Sequence, residues 1–147
     1  VKMRFYREST DLMKNFIIAA TIALTSTAVA ADQATYDQYM ERHYQKVFCV
    51  GFGDVLEDDY LDEMVEAVGE DTAIEVMDVR KAAFSEFIDL IWEVGDDSSM
   101  NKIWKKRYYN NATNQPGQSD GWSHATSTYK VVGIEATVTS FFEQCKK

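Results

Sequence analysis

The residues of this chain that could do chemistry are few and far apart. Its two cysteines, Cys49 and Cys145, stand 96 positions apart and lack the C-x-x-C spacing that tunes a reactive thiol. An even pair in an oxidising compartment reads as one structural disulfide, and so long a loop restricts the unfolded chain by about 4–5 kcal/mol. The compartment itself is read from the N-terminal region below. The two histidines, His43 and His124, offer little more. Neither lies in H-E-x-x-H, and Glu41 precedes His43 by two positions, which puts it on another helix face. Ser123 adjoins His124, but sequence neighbours do not by themselves form a nucleophile–base pair, and G-x-S-x-G is absent. No catalytic residue, metal ligand or cofactor is assigned.

Carboxylates are plentiful. Asp54, Glu57, Asp58, Asp59, Asp62, Glu63 and Glu66 follow "CVGFG" at 49–53. Calcium needs about six to eight oxygens converging from a looped backbone, and a D-x-[DN] frame begun at Asp54 fails at Leu56. A helix would splay these side chains outward, with Asp58, Asp62 and Glu66 on one face and Asp59 with Glu63 on another. The run therefore reads as a solvated face. A glycoside hydrolase needs only two carboxylates at a suitable separation, a test that so acidic a chain passes too easily to be informative. Gly51-Phe52-Gly53 lacks the third glycine of a dinucleotide fingerprint, and Asn111-Ala112-Thr113 is a sequon of a kind common by chance.

One stretch has the composition of a recognition surface. Residues 101–122, "NKIWKKRYYNNATNQPGQSDGW", bring Trp104, Lys105, Arg107, Tyr109, Asn114 and Trp122 beside a polar, amide-rich segment. Aromatic and arginine side chains of this kind anchor protein interfaces. These six are the expected partner-binding residues.

The elements that must position these groups start after a targeting segment. From Met13 the chain reads "MKNFIIAATIALTSTAVAADQ". It has a basic start at Lys14, an apolar stretch from Phe16 to Leu24 and an Ala28-Val29-Ala30 cleavage pattern, the order of a secretory signal peptide. The apolar stretch is shorter than the ~20 residues that span a bilayer. Residues 1–12 read as an upstream extension, 13–30 as the cleaved signal and 31–147 as one domain, periplasmic or secreted. That domain keeps 11 basic and 22 acidic side chains, a net charge of −11 against −9 for the whole sequence. Such a surface repels phosphate backbones and anionic lipid, which argues against nucleic acid and against a membrane anchor after cleavage. The asymmetry is marked: residues 54–97 hold 16 acids and 2 bases. A cationic partner is favoured.

Apolar spacing predicts five helices. Tyr36, Met40, Tyr44, Val47 and Phe48 give the first, stopped by Gly51 and Gly53; Leu56, Tyr60, Leu61, Met64, Val65 and Val68 give the second, ending at Gly69. The third, capped by Asp71 or Thr72, runs to Gly95. It is apolar on both sides, with Ile74, Met77, Phe84, Phe87, Ile88, Ile91 and Val94 opposite Val76, Val79, Ala83 and Trp92, which predicts the most buried element. The fourth starts at Asp97 or Ser98 and carries Met100, Ile103, Trp104 and Tyr108. A loop over 110–121 follows, with the only proline, and then a C-terminal helix to Cys145. The expected fold is all-α, a bundle of about five helices with one disulfide joining the first and last. An α+β fold with a strand near 130–138 is the alternative, because Val132, Ile134, Ala136 and Val138 alternate.

These features predict an exported, non-catalytic protein-binding module, an inhibitor or immunity-type protein. The layout resembles the small helical periplasmic immunity proteins that neutralise peptidoglycan-cutting toxins, in architecture and without a shared motif. The alternatives are a periplasmic carrier of a small ligand or metal ion, and a cell-wall hydrolase using a carboxylate pair.

Overall fold

The computed structural model describes residues 31–147; the signal-peptide and upstream segments assigned above lie outside them. The chain divides into two compact units at Thr35/Tyr36, and the fold that follows is that of Tyr36–Lys147. Five helices and no strand occur among the described residues. They are α1 (described over residues 31–58), α2 (Leu61–Val68), α3 (Glu70–Asp96), α4 (Lys102–Ala112) and α5 (Gln118–Cys145). The strand alternative fails because residues 130–138 are helical on both sides of a corner at Gly133.

The first helix does not stop at its glycines. Gly51 and Gly53 lie inside α1, which closes only at Asp59, where the amide bonds back to the Val55 carbonyl. A Cβ on Gly51 would sit 2.4 Å from the Gln118 carbonyl oxygen, and one on Gly121 would sit 2.2 Å from the Phe48 carbonyl oxygen. The missing side chains let the start of α5 lie directly on α1. Residues of the expected second helix are accordingly divided between α1, which takes Leu56, and α2.

Positive-φ glycine turns three corners, one of them Gly117 (φ 102°) at the entry to α5. Gly69 (φ 88°, ψ 160°) is the single residue between α2 and α3, and Gly133 (φ 81°, ψ 178°) breaks α5. The two halves of α5 fold back on each other: Gln144 Nε2 is 3.1 Å from His124 Nε2, although the two residues lie 20 positions apart. The outgoing half follows α1, since Tyr44 Oη donates to Asp120 at 2.5 Å and Tyr129 stacks on Tyr60 at 4.1 Å. The returning half packs Phe141 on Phe52 and ends at the Cys49–Cys145 disulfide (Cα–Cα 5.6 Å). The first and last helices are thus joined, though Cys49 sits within α1 rather than at its end.

α3 runs antiparallel to α1. Arg42 pairs with Glu93 through two bonds of 2.9 and 3.0 Å, Lys46 pairs with Glu86, and Arg80 meets Asp54 and Glu57. α4 closes the other end: Asn101 Oδ1 caps it at the Ile103 amide (2.7 Å), while Asp97 is taken up by Ser99 and Tyr39 instead of capping α4.

The most buried element is α1, not α3. Val47, Cys49, Val50, Phe52, Val55 and Leu56 are all buried, while α3 leaves Ile74, Phe84 and Trp92 exposed. Double-sided apolar character made α3 look central; in the fold it lies at the edge, and only one of its faces is covered by the described residues.

Candidate interaction surface

The acidic joint is largely structural. Gly53 leaves room for Arg80, whose β-carbon would stand 2.7 Å from a Cβ at that position. Arg80 Nε lies 2.6 Å from Asp54 Oδ1, and Nη1 donates to Glu57. Burial pushes the Asp54 carboxyl above its ordinary range, opposed by Arg80 and by the Trp122 indole. Asp58 and Asp59 are exposed and, with Asp54, Val55, Trp122 and Thr126, line a shallow cleft. Among the described residues no group of three or more His, Cys, Asp or Glu side chains is placed to hold a metal ion.

His43 is fully buried, with Nδ1 3.0 Å from Tyr108 Oη and its ring edge-on to Phe87. Its Nε2 has no partner, and burial lowers its pKa. It belongs to the packing of α1 against α3 and α4. Burial also pushes the Tyr108 phenol up to about 12, so the hydroxyl stays protonated beside the ring. His124 lies between Phe48, Phe52 and Gln144.

The six residues expected to bind a partner fall in separate places. Trp104 packs on Tyr36 at 5.3 Å, and Arg107 covers both rings at 5.0 and 5.4 Å. Lys105 donates to the Gly95 carbonyl at 2.9 Å and Tyr109 to the Ile91 carbonyl at 3.2 Å, so both fasten α4 to the end of α3. Asn114 is exposed in a turn of five residues, 113–117, because α4 and α5 absorb the rest of the expected loop. Trp122 is 44% exposed beside Asp54. Tyr36 and Asp54 are 18 positions apart on one helix, so the two tryptophans stand at sites about 27 Å apart along α1. They do not form one surface.

A different surface is continuous. Ala73, Val76, Ala83, Phe87, Leu90 and Val94 form the buried face of α3. Ile74, Met77, Phe84, Ile88 and Trp92 recur at three-, four- and seven-residue steps about 110° around the helix from that face, interrupted only by Lys81. Ile74 is 44% exposed, Phe84 50% and Trp92 70%. At its N-terminal end this stripe opens into a groove with α2, lined by Leu61, Val65, Ala73, Ile74 and Met77 together with the acids Asp62 and Glu70. A monomer rarely leaves so extended an apolar run uncovered unless something binds it. The signal for it was present in the double-sided spacing, but periodicity cannot say which face the rest of the chain will cover.

Carboxylates edge this stripe in two rows. Glu75, Glu86 and Glu93 lie nearer the core and are paired with Lys146, Lys46 and Arg42; the Arg42 hydrogen bonds hold Glu93 below its ordinary pKa. Asp71, Asp78, Asp89 and Asp96 lie between them and the stripe, about 40–60° from Ile74 and Trp92, and have no ion-pair partner among the described residues. No described helix is long and apolar enough to cross a membrane. Comparison with family models, curated proteins and solved structures finds no match to the chain.

Proposed function

We propose that this protein is an exported, non-catalytic protein-binding module of the inhibitor or immunity type, working in the periplasm or outside the cell. The observation that carries the reading is the outer face of α3, an apolar stripe that the described residues leave uncovered, with Trp92 and Phe84 as large anchors and carboxylates without an ion pair among those residues at its ends. Large aromatics on a rigid helix contribute most of the binding energy at protein interfaces. The disulfide supports an oxidising compartment, in agreement with the signal-type segment before residue 31. The test is capture of a partner by tagged mature protein in periplasmic extract and culture medium, run beside a Phe84→Ser/Trp92→Ser variant with an unchanged melting curve. One stoichiometric partner held by the wild type and released by the variant is expected. No partner under several growth conditions, or equal retention by the variant, overturns the reading.

A second reading, a cell-wall hydrolase, is favoured by the raised Asp54 carboxyl in a cleft with Asp58, Asp59 and Trp122. A carboxyl raised by burial near a second carboxylate and an aromatic ring is the equipment of glycoside cleavage. It predicts clearing of peptidoglycan in a gel assay, abolished by Asp54→Asn. Absence of clearing by the wild type sinks it.

A further inference from the structure

We infer that the outer face of α3 receives a cationic amphipathic helix of the partner, a claim that rests on the binding-module reading and names its partner's chemistry. The two carboxylate rows carry the argument. The inner glutamates are neutralised by bases of α1 and the C-terminus, so they need nothing from outside. The outer aspartates Asp71, Asp78, Asp89 and Asp96 form no ion pair among the described residues, although Asp89 also lines the α1–α3 cleft with Arg42 and Lys46, and they flank the two ends of the stripe, beside Ile74 and Trp92. Whatever covers Ile74 and Trp92 comes close to these carboxylates, about 40–60° around the helix, at both ends of the stripe. An uncharged partner would strip water from that rim without supplying a counter-charge. A second copy docked antiparallel through the same face would set the two aspartate rows against each other, and an anionic lipid surface would be repelled. Lys81, the one base within the stripe, is outnumbered four to one by these aspartates. A partner segment carrying lysine or arginine satisfies the row.

The shape points to a helix. From Ile74 to Trp92 the stripe covers 18 positions of one uninterrupted helix, about 27 Å, and a partner helix of about 18 residues spans that length with its own apolar ridge laid along it. The α2–α3 groove at one end accepts a single large apolar side chain and fixes the register.

The probe is an 18-residue amphipathic Leu/Lys helical peptide, fluorescently labelled and titrated with the disulfide-bonded protein. Saturable one-to-one binding is expected, with a Kd that rises at least about tenfold between 50 and 300 mM salt. Converting the four aspartates to asparagine weakens it at least about tenfold, and Phe84→Ser/Trp92→Ser at least about thirtyfold. Glu135→Gln/Glu143→Gln, in exposed acids of α5, changes it less than about twofold. Equal loss in the Glu135/Glu143 variant reduces the binding to diffuse charge attraction and overturns the inference. So do equal binding of a Leu/Glu peptide, and a concentration-dependent dimer that Trp92→Ser abolishes. A partner captured through Phe84 and Trp92 but indifferent to the four asparagine changes would preserve the binding-module reading and remove only the cationic helix.

Discussion

The His43 imidazole, enclosed by Phe87 and Tyr108 with Nε2 unpartnered in either tautomer, ties stability to pH. Burial lowers its folded pKa below the ordinary 6.5 of the unfolded chain. Above 6.5 both states hold a neutral ring and its contribution is constant. As pH falls below 6.5 the unfolded chain binds a proton that the native state refuses. Stability then falls by up to about 1.4 kcal/mol per pH unit until the folded value is passed. Urea unfolding at pH 7.5 and 5.5 checks this: the wild type should lose more stability between the two than His43→Leu does. Equal losses would remove His43 from the account. The sequence offered no route to this residue's setting. Its surroundings come from Phe87 and Tyr108, 44 and 65 positions away, and only the antiparallel pairing of α1 with α3 and the return of α4 bring them together.

At the scale of elements, glycines act in two physically different ways that one substitution series separates. No heavy atom lies within 4 Å of a Cβ at Gly69 or Gly133, so alanine fits there in space but not at a φ above +80° with ψ near 160–180°. That backbone region costs a non-glycine residue about 1–3 kcal/mol. At Gly51 and Gly121 the backbone is helical, but alanine meets a carbonyl oxygen of the facing helix. Gly69→Ala and Gly133→Ala should therefore lower stability by about 1–3 kcal/mol with an unchanged urea slope. Gly51→Ala and Gly121→Ala should cost more, because α1 and α5 must separate. Similar losses at all four sites would contradict the distinction. This is also where reading by sequence ran short. A glycine in a helical pattern reads as a stop, correctly at Gly69 and wrongly at Gly51 and Gly53, because close approach by Gln118 and Arg80 is a tertiary fact. The amide-rich 110–121 segment read as a loop for the same local reason, yet α4 and α5 consume all but five of its residues.

For the molecule as a whole, the Cys49–Cys145 pairing and an all-helical body were legible from cysteine number and apolar period. The burial order was not. Counting apolar positions made α3 the centre, whereas packing chose α1, which is covered by α3, α4 and both halves of α5. The difference left an exposed apolar face where a core had been expected. The disulfide between α1 and the end of α5 should stabilise this arrangement by about 4–5 kcal/mol, strain aside. Replacing Cys49 and Cys145 together by alanine should lower the unfolding free energy by about that amount in urea, and a loss under about 1 kcal/mol would mean that residual structure already holds the two ends together in the unfolded chain.

The same bond turns most of the protein into a covalent ring. Everything from Cys49 to Cys145, including all of α2, α3 and α4, lies between the two sulfurs. A protease that cuts once inside that span, for instance at the exposed Lys130–Val132 segment before the Gly133 corner, opens the ring without releasing a piece. The nicked chain keeps its mass on a non-reducing gel and separates only when reduced. One cut would thus leave the α3 face attached to everything that holds it in place.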